Sequence, residues 1–340
     1  MYKLFKASKD ASVYAQIPMQ NSGLGEILEV GKLYNSLYEK DISRSLIQFD
    51  MNEVSKSLAG VSNWKAFLSL KASNSMELPL NYTIYANAVS ESWEMGTGTK
   101  YDNMTTDGVS WNYRDGEILW QTYGGTWYNE SEASQSFVYQ YDDIHMDITG
   151  IVNMWINGDI ENNGLIIRNS LEHESDNIDY GVLKFYSKET NTIYEPKLEL
   201  AWDDSSYNTG SLSIVTGDID SDYKLVLNNL KTKYQKDTLV KIRIKGRDAF
   251  PLKSFNNKSF AYEQVKALPE TIYYQLEDYI TGDIIFPFSD YTKVSCDSIS
   301  NYFDIDLSNI AENRAYRLKF KIVNNNSTTI IDNKFTFEIV

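Results

Sequence analysis

The sequence predicts an all-β protein: an N-terminal antiparallel β-sandwich, jelly-roll-like, with one or two short helices, then one or two immunoglobulin-like β-sandwiches. Three observations predict it. Apolar and polar residues alternate along much of the chain, glycine- and asparagine-containing turns interrupt the alternation, and only two short stretches carry a helical spacing. Parallel α/β sheets would instead show continuous apolar runs separated by long helices, and no such pattern is present.

Taken in order, the first helical stretch is a brief one from about Asn52 to Leu58. In 64–72, Trp64, Ala66, Leu68, Leu70 and Ala72 fall on one face, while Lys65, Ser69 and Lys71 fall on the other. This is a strand with one wet face. The second helical stretch is Ile148, Ile151, Val152 and Trp155, at i, i+3, i+4, i+7, with Asp147 or Thr149 as N-cap and Gly158 as the stop. Strand alternation returns at Leu183 and Phe185, and at Leu198, Leu200 and Trp202. It continues at Ile242 and Ile244, at Tyr316, Leu318, Phe320 and Ile322, and at Phe335, Phe337 and Ile339. Turns fall at Asn157-Gly158-Asp159, Asn163-Gly164 and Thr281-Gly282-Asp283. Leu227-Asn228-Asn229-Leu230 before strand 239–245 is echoed by Leu307-Ser308-Asn309-Ile310 before strand 316–322, which suggests two small sandwiches in tandem.

The 340 residues are enough for two or three domains, with 14% aromatics and 23% charged residues, an ordered globular composition. Residues 1–205 hold 15 Lys+Arg against 30 Asp+Glu and all seven Trp, whereas residues 206–340 hold 17 against 17. Two compositional steps at one place put a boundary near Asp203–Gly210. The expected domains are 1–205, then 206–266 as a small sandwich or the first half of a larger one, and 267–340.

Several function classes recede on chemistry alone. A net charge of −15 disfavours a nucleic-acid binder, which needs a basic face to release counterions. One cysteine, Cys296, closes no internal disulfide, and with two histidines it leaves no ligand set for zinc. The first residues carry no apolar core of signal-peptide length and no run approaches a membrane span, so the chain is expected to stay in the cytoplasm of the cell that makes it or to leave by lysis.

Catalytic candidates are few. His145 between Ile144 and Met146 reads as a packed or surface histidine, and His173 among Glu172, Glu174 and Asp176 as part of a solvated loop. Cys296 reads as a small buried hydrophobe. Glu91 and Glu94 are the one pair of carboxylates spaced for glycosidase-like work. Asp218, Asp220 and Asp222 alternate like a calcium loop, but Tyr223 stands where that loop needs glycine and Asn229 where it needs glutamate. No enzyme, cofactor or metal is expected. The segment Trp120–Tyr141 is the best candidate contact surface: Tyr123, Trp127, Tyr128, Tyr139 and Tyr141 alternate with Asn129, Glu130, Gln135 and Gln140, and Gly124-Gly125 allows a tight bend. Such residues stack on sugar rings or seat a protein partner.

Residues 1–203 resemble the DNRLRE-type β-sandwich domain found appended to bacterial cell-surface proteins and enzymes. The likeness rests on Asp10-Ala11-Ser12-Val13-Tyr14, Asn21-x-Gly23 and Arg44-Ser45-Leu46-Ile47-Gln48-Phe49-Asp50 at the start. In the middle it rests on Leu68-x-Leu70, Trp93-Glu94, Val109-Ser110-Trp111 and Trp120. It is closest at the end, over Asp147-Ile148-Thr149, Val152, Trp155, Gly158, Asn162-Asn163-Gly164-Leu165-Ile166, Phe185-Tyr186-Ser187-Lys188-Glu189 and Pro196-x-Leu198-x-Leu200. In that family Trp93-Glu94 and Trp120 belong to the fold's own pattern, which argues against Glu94 as a catalyst.

The remainder resembles the immunoglobulin-like tail of structural proteins of tailed bacteriophages. Gly246–Pro251, Tyr273-Tyr274-Gln275, Pro287–Asp297 and Arg314-x-Tyr316-Arg317-Leu318 carry that likeness. Together the two resemblances imply a virion structural protein, an auxiliary protein on the capsid exterior. Its partners would be capsid or tail subunits, with no nucleic acid and no membrane. The alternative they leave open is a neck or tail protein whose sandwich recognises a host-surface glycan.

Overall fold

The computed structural model describes residues 1–34, 40–76, 81–138, 142–215, 222–250, 265–324 and 327–340. The chain is all-β and divides into two compact units, Leu4–Leu200 and Ala201–Val340, the latter together with Met1–Lys3.

The Leu4–Leu200 unit is built on β1 (Tyr2–Tyr14), β2 (Ile27–Tyr34), β3 (Lys40–Phe49), β4 (Lys65–Leu70), β5 (Ala72–Met76), β6 (Tyr82–Val89), β7 (Trp127–Phe137), β8 (Ile144–Asp147), β9 (Leu165–Asn169), β10 (Gly181–Tyr186) and β11 (Lys197–Ala201). Hydrogen bonds join them as β5-β10-β2-β3-β1-β11-β4-β8, and a branch at β3 runs through β9 and β6 to β7. The two ends of this path meet. Gln135 of β7 donates from Nε2 to the Asp143 carbonyl (3.0 Å) and its Oε1 accepts from the His145 N–H of β8 (2.9 Å). The sheet therefore curls onto itself, with Ile84 and Ile167 buried on one face and Val13, Leu46 and Ile166 on the other, all essentially sealed from solvent.

The alternation at 65–70 is realised as buried Ala66, Leu68 and Leu70 against half-buried Lys65, Phe67 and Ser69. β9 breaks the rule, with all five residues buried, because it is covered on both faces.

Both expected helices form. α1 (Met51–Leu58) begins where the Asp50 side chain accepts the Asn52 N–H at 2.9 Å. α2 (Thr149–Asn157) buries Ile151, Val152 and Trp155. Its N-cap is Ile148, not Asp147 or Thr149, because Asp147 Oδ1 turns to the N–H and the hydroxyl of Thr149 one residue too early to cap, and Gly158, at φ 76°, turns its N–H back to the carbonyls of Met154 and Trp155. A third helix, α3 (Leu171–Ser175), carries no apolar period. It is held by Ser170, which accepts the His173 N–H at 3.0 Å, and by Lys32, fully buried, whose ammonium donates to the His173 carbonyl and to Asp176. Burial opposes ionisation of Asp176, yet Lys32, the Ile178 N–H and the Tyr180 hydroxyl outweigh it and bring its pKa down to about 2.

The second unit is carried by β12 (Tyr223–Leu227), β13 (Lys233–Tyr234), β14 (Leu239–Asp248), β15 (Ile272–Asp278), β16 (Ile284–Phe286), β17 (Ser295–Cys296), β18 (Asn301–Asp306), β19 (Arg314–Asn324) and β20 (Ser327–Ile339). They form a four-stranded sheet, β12-β14-β18-β17, and a five-stranded one, β13-β20-β19-β15-β16. Each sheet takes strands from both 206–266 and 267–340, so these two segments share one pair of sheets rather than closing separately. The sheets meet through stacked Tyr274 and Phe303 (4.5 Å between centroids) and Phe320 set edge-on to Phe303 (5.8 Å). Just inside β19, the Tyr316 hydroxyl donates to the Ala311 carbonyl at 2.6 Å, the tyrosine-corner device of Greek-key sandwiches.

Candidate functional site

Between β6 and β7, residues 90–126 form no strand and no helix. A segment this long without regular structure needs its own anchors, and in this unit they are buried polar and aromatic side chains. Asn21, fully buried, is the hub. Its N–H donates to the Thr105 carbonyl (2.9 Å) and its Nδ2 to the carbonyls of Met95 (2.7 Å) and Val109 (2.8 Å). Its Oδ1 accepts from the N–H of Gly98 (2.7 Å) and of Gly23 (3.1 Å). A Cβ at Gly108 would lie 2.4 Å from Gly96 Cα, so a side chain cannot fit there without moving the loop. Beneath the hub, Trp93, Val109 and Trp120 pack on Ala11, Val13, Leu46, Val89 and Ile166. Trp93 Nε1 donates to the Asn163 carbonyl (2.8 Å) and Trp120 Nε1 to that of Ser110 (3.0 Å).

The end of the segment is held by Arg44, and a second arginine, Arg168, meets Trp127 just beyond it. Arg44 of β3 pairs with buried Glu174 through two bonds, Nε–Oε1 at 3.0 Å and Nη2–Oε2 at 2.5 Å, and its Nη1 donates to the Gly124 carbonyl at 2.9 Å. Its guanidinium lies 4.9 Å from the Trp111 ring and 5.1 Å from that of Trp127. Arg168 of β9 lies 4.8 Å from Trp127 and 5.3 Å from Tyr85, and donates to Asn87 Oδ1 at 2.9 Å. Burial, reinforced by the like charge of Arg44, lowers its pKa.

The structure therefore brings Trp127 to Arg44 and Arg168, half-buried at the start of β7. Tyr128 beside it is half-buried too, and Tyr123 stands 57% exposed. Tyr139 and Tyr141 lie outside the described residues, as do Gln140 and the Asp218 and Asp220 of the calcium-like run. Outward, the 90–126 segment presents Tyr101, Met104, Ile118, Leu119 and Tyr123, each at least 49% exposed. Sequence reading singled out only Tyr123 of these five. The others escaped it because isolated apolar residues in a polar loop have no period to betray them.

The catalytic candidates are scattered. His145 stacks on Phe67 (4.6 Å) and its Nε2 lies 3.1 Å from Glu199, whose hydrogen bond raises the histidine's pKa against the effect of burial. His173 is not in a solvated loop: it belongs to α3, its ring stacks on Tyr180 at 4.1 Å, and its Nδ1 is buried. The reason is Lys32, which draws the 173–176 backbone down onto the sheet. Cys296 is buried, and burial pushes its thiol up to about 11. Glu91 accepts the Gln121 N–H at 3.1 Å, while Glu94 is exposed. Among the described residues no three His, Cys, Asp or Glu are grouped to hold a metal ion, and no helix is long and apolar enough to cross a membrane.

No protein-family model matches the chain, and no curated protein matches it.

Proposed function

We propose that the chain is a structural component of a tailed-phage virion, an auxiliary protein of the capsid exterior that acts through contacts with neighbouring subunits. The observation that carries this reading is the 90–126 segment, pinned on its inner side by Asn21 and the buried tryptophans while Met104, Ile118, Leu119 and Tyr123 face outward. Tyrosine and methionine are enriched at interfaces, tyrosine because it buries large area at little cost in conformational freedom and methionine because its unbranched side chain adapts to the partner. The acidic excess of residues 1–205 adds a constraint: copies of this unit repel one another, so the partner surface is basic or neutral.

The test is co-sedimentation with particles assembled from the genome that encodes the chain. Wild-type protein is expected to sediment with particles, and Ile118→Asp combined with Leu119→Asp to lose at least about tenfold of that association with no change in melting temperature. Undiminished sedimentation of the double variant would remove the segment from the interface.

A further inference from the structure

On one face of the Leu4–Leu200 unit, the strand registers place Tyr14 opposite Ser43, Ser43 opposite Gly31, and Gly31 opposite Val182. Two small residues between two larger ones leave that row hollow. A cleft of about 430 Å³ opens there, with Ile17 and Leu33 adding apolar wall and Tyr101 at its edge. Small-molecule sites begin at about 300 Å³.

The charges around the cleft cancel. Glu29 is paired by Lys100 and, at 3.4 Å, by Lys184. The Lys100 ammonium also lies 4.2 Å from the Tyr14 ring and 5.4 Å from that of Tyr101, so it is held by the protein's own aromatics. Asp41 differs: its Oδ1 is buried beneath the cleft wall with no hydrogen-bond partner among the described residues, and burial raises its pKa against the pull of Lys100. Tyr101 is 84% exposed, a ring with most of its surface open.

Because two carboxylates and two ammonium groups balance around the cleft, a charged ligand would give up its hydration with no net counter-charge to replace it. A neutral molecule with hydroxyls on one side and C–H groups on the other avoids that penalty and supplies what the cleft lacks: a donor for a carboxylate and an apolar face for an aromatic ring. We propose that this cleft binds one neutral sugar unit, with Tyr101 stacking on the C–H face of its ring and Asp41 accepting from its hydroxyls. The site is separate from the Trp120–Tyr141 segment and does not depend on the virion reading.

The experiment is saturation-transfer NMR and calorimetry on the full chain with D-glucose, D-galactose, L-rhamnose and N-acetyl-D-glucosamine, alongside cationic D-glucosamine and anionic N-acetylneuraminic acid. At least one neutral sugar is expected to bind, more tightly than either charged one. Its affinity should fall about tenfold or more in both Tyr101→Ala and Asp41→Asn, and Tyr101→Ala, at an exposed position, should leave the melting temperature unchanged. The proposal is overturned if all four neutral sugars fail to bind, if a charged sugar binds as well as the best neutral one, or if Tyr101→Ala leaves affinity intact. Each of these outcomes leaves co-sedimentation with particles, and so the structural role, unaffected.

Discussion

At the scale of single residues, Asp10 of β1 holds the clearest pH dependence. It is fully buried, its Oδ2 accepts the Lys188 N–H at 2.6 Å, and its Oδ1 has no hydrogen-bond partner among the described residues. Burial raises its pKa from 3.8 to about 7, with the Lys188 N–H pulling the other way. A carboxyl whose folded pKa lies above its unfolded one favours folding while protonated. That stability is complete below about pH 4 and is lost as pH rises through 7. Denaturant unfolding at pH 5 and pH 8 should therefore show wild type less stable at pH 8 by roughly 1–3 kcal/mol, and Asp10→Asn with most of that difference gone. His145, held charged by Glu199, titrates in the same direction, so His145→Gln is the control that assigns the remainder. Equal pH dependence in wild type and Asp10→Asn would contradict the account. Nothing in the Asp10–Tyr14 string announces this burial, since the carboxylate's partner lies far along the chain at Lys188.

Among the elements, the 90–126 segment depends most on one side chain. Asn21→Ala removes the side-chain partner of backbone groups of Gly23, Met95, Gly98 and Val109 while its N–H still reaches Thr105, and each such group left unpaired in a buried place costs about 1–3 kcal/mol. The expected outcome is a loss of about 3 kcal/mol and new proteolytic cleavage within 96–108, with hydrogen exchange in β4 and β10 little changed. Cleavage unchanged from wild type would show that the tryptophans alone hold the segment.

The regular elements were the legible ones. Strand alternation marked 64–72 and 316–322 because one face of each is partly open to solvent, and 198–202 by its sequence alone, since Leu198–Ala201 are all buried. The helix at 149–157 was marked by its 3.6-residue period and by Gly158. α3 and β9 were not legible: one is a single turn fixed by a lysine distant in sequence, the other is buried on both faces. Of the candidate contact residues Tyr123 stands exposed, whereas Trp127 is engaged by Arg44 and Arg168, residues whose approach only the sheet brings about and no spacing in the sequence shows.

For the whole molecule, the two units differ in charge and in construction. One is an acidic, curled sheet with a long anchored insertion; the other is a pair of sheets with balanced charge and a tyrosine corner. In the proposed role the protein works by presenting surfaces. Association with its partner should weaken as salt rises if that partner is basic, because screening removes the attraction between exposed charges. The most direct measurement is a cryo-electron microscopy map of particles purified after assembly from the genome that encodes the chain. The account predicts density for both units on the particle exterior, with Met104, Ile118, Leu119 and Tyr123 buried against a neighbouring subunit. Particles that lack the chain altogether, or that carry it with the 90–126 segment wholly in solvent, would contradict it.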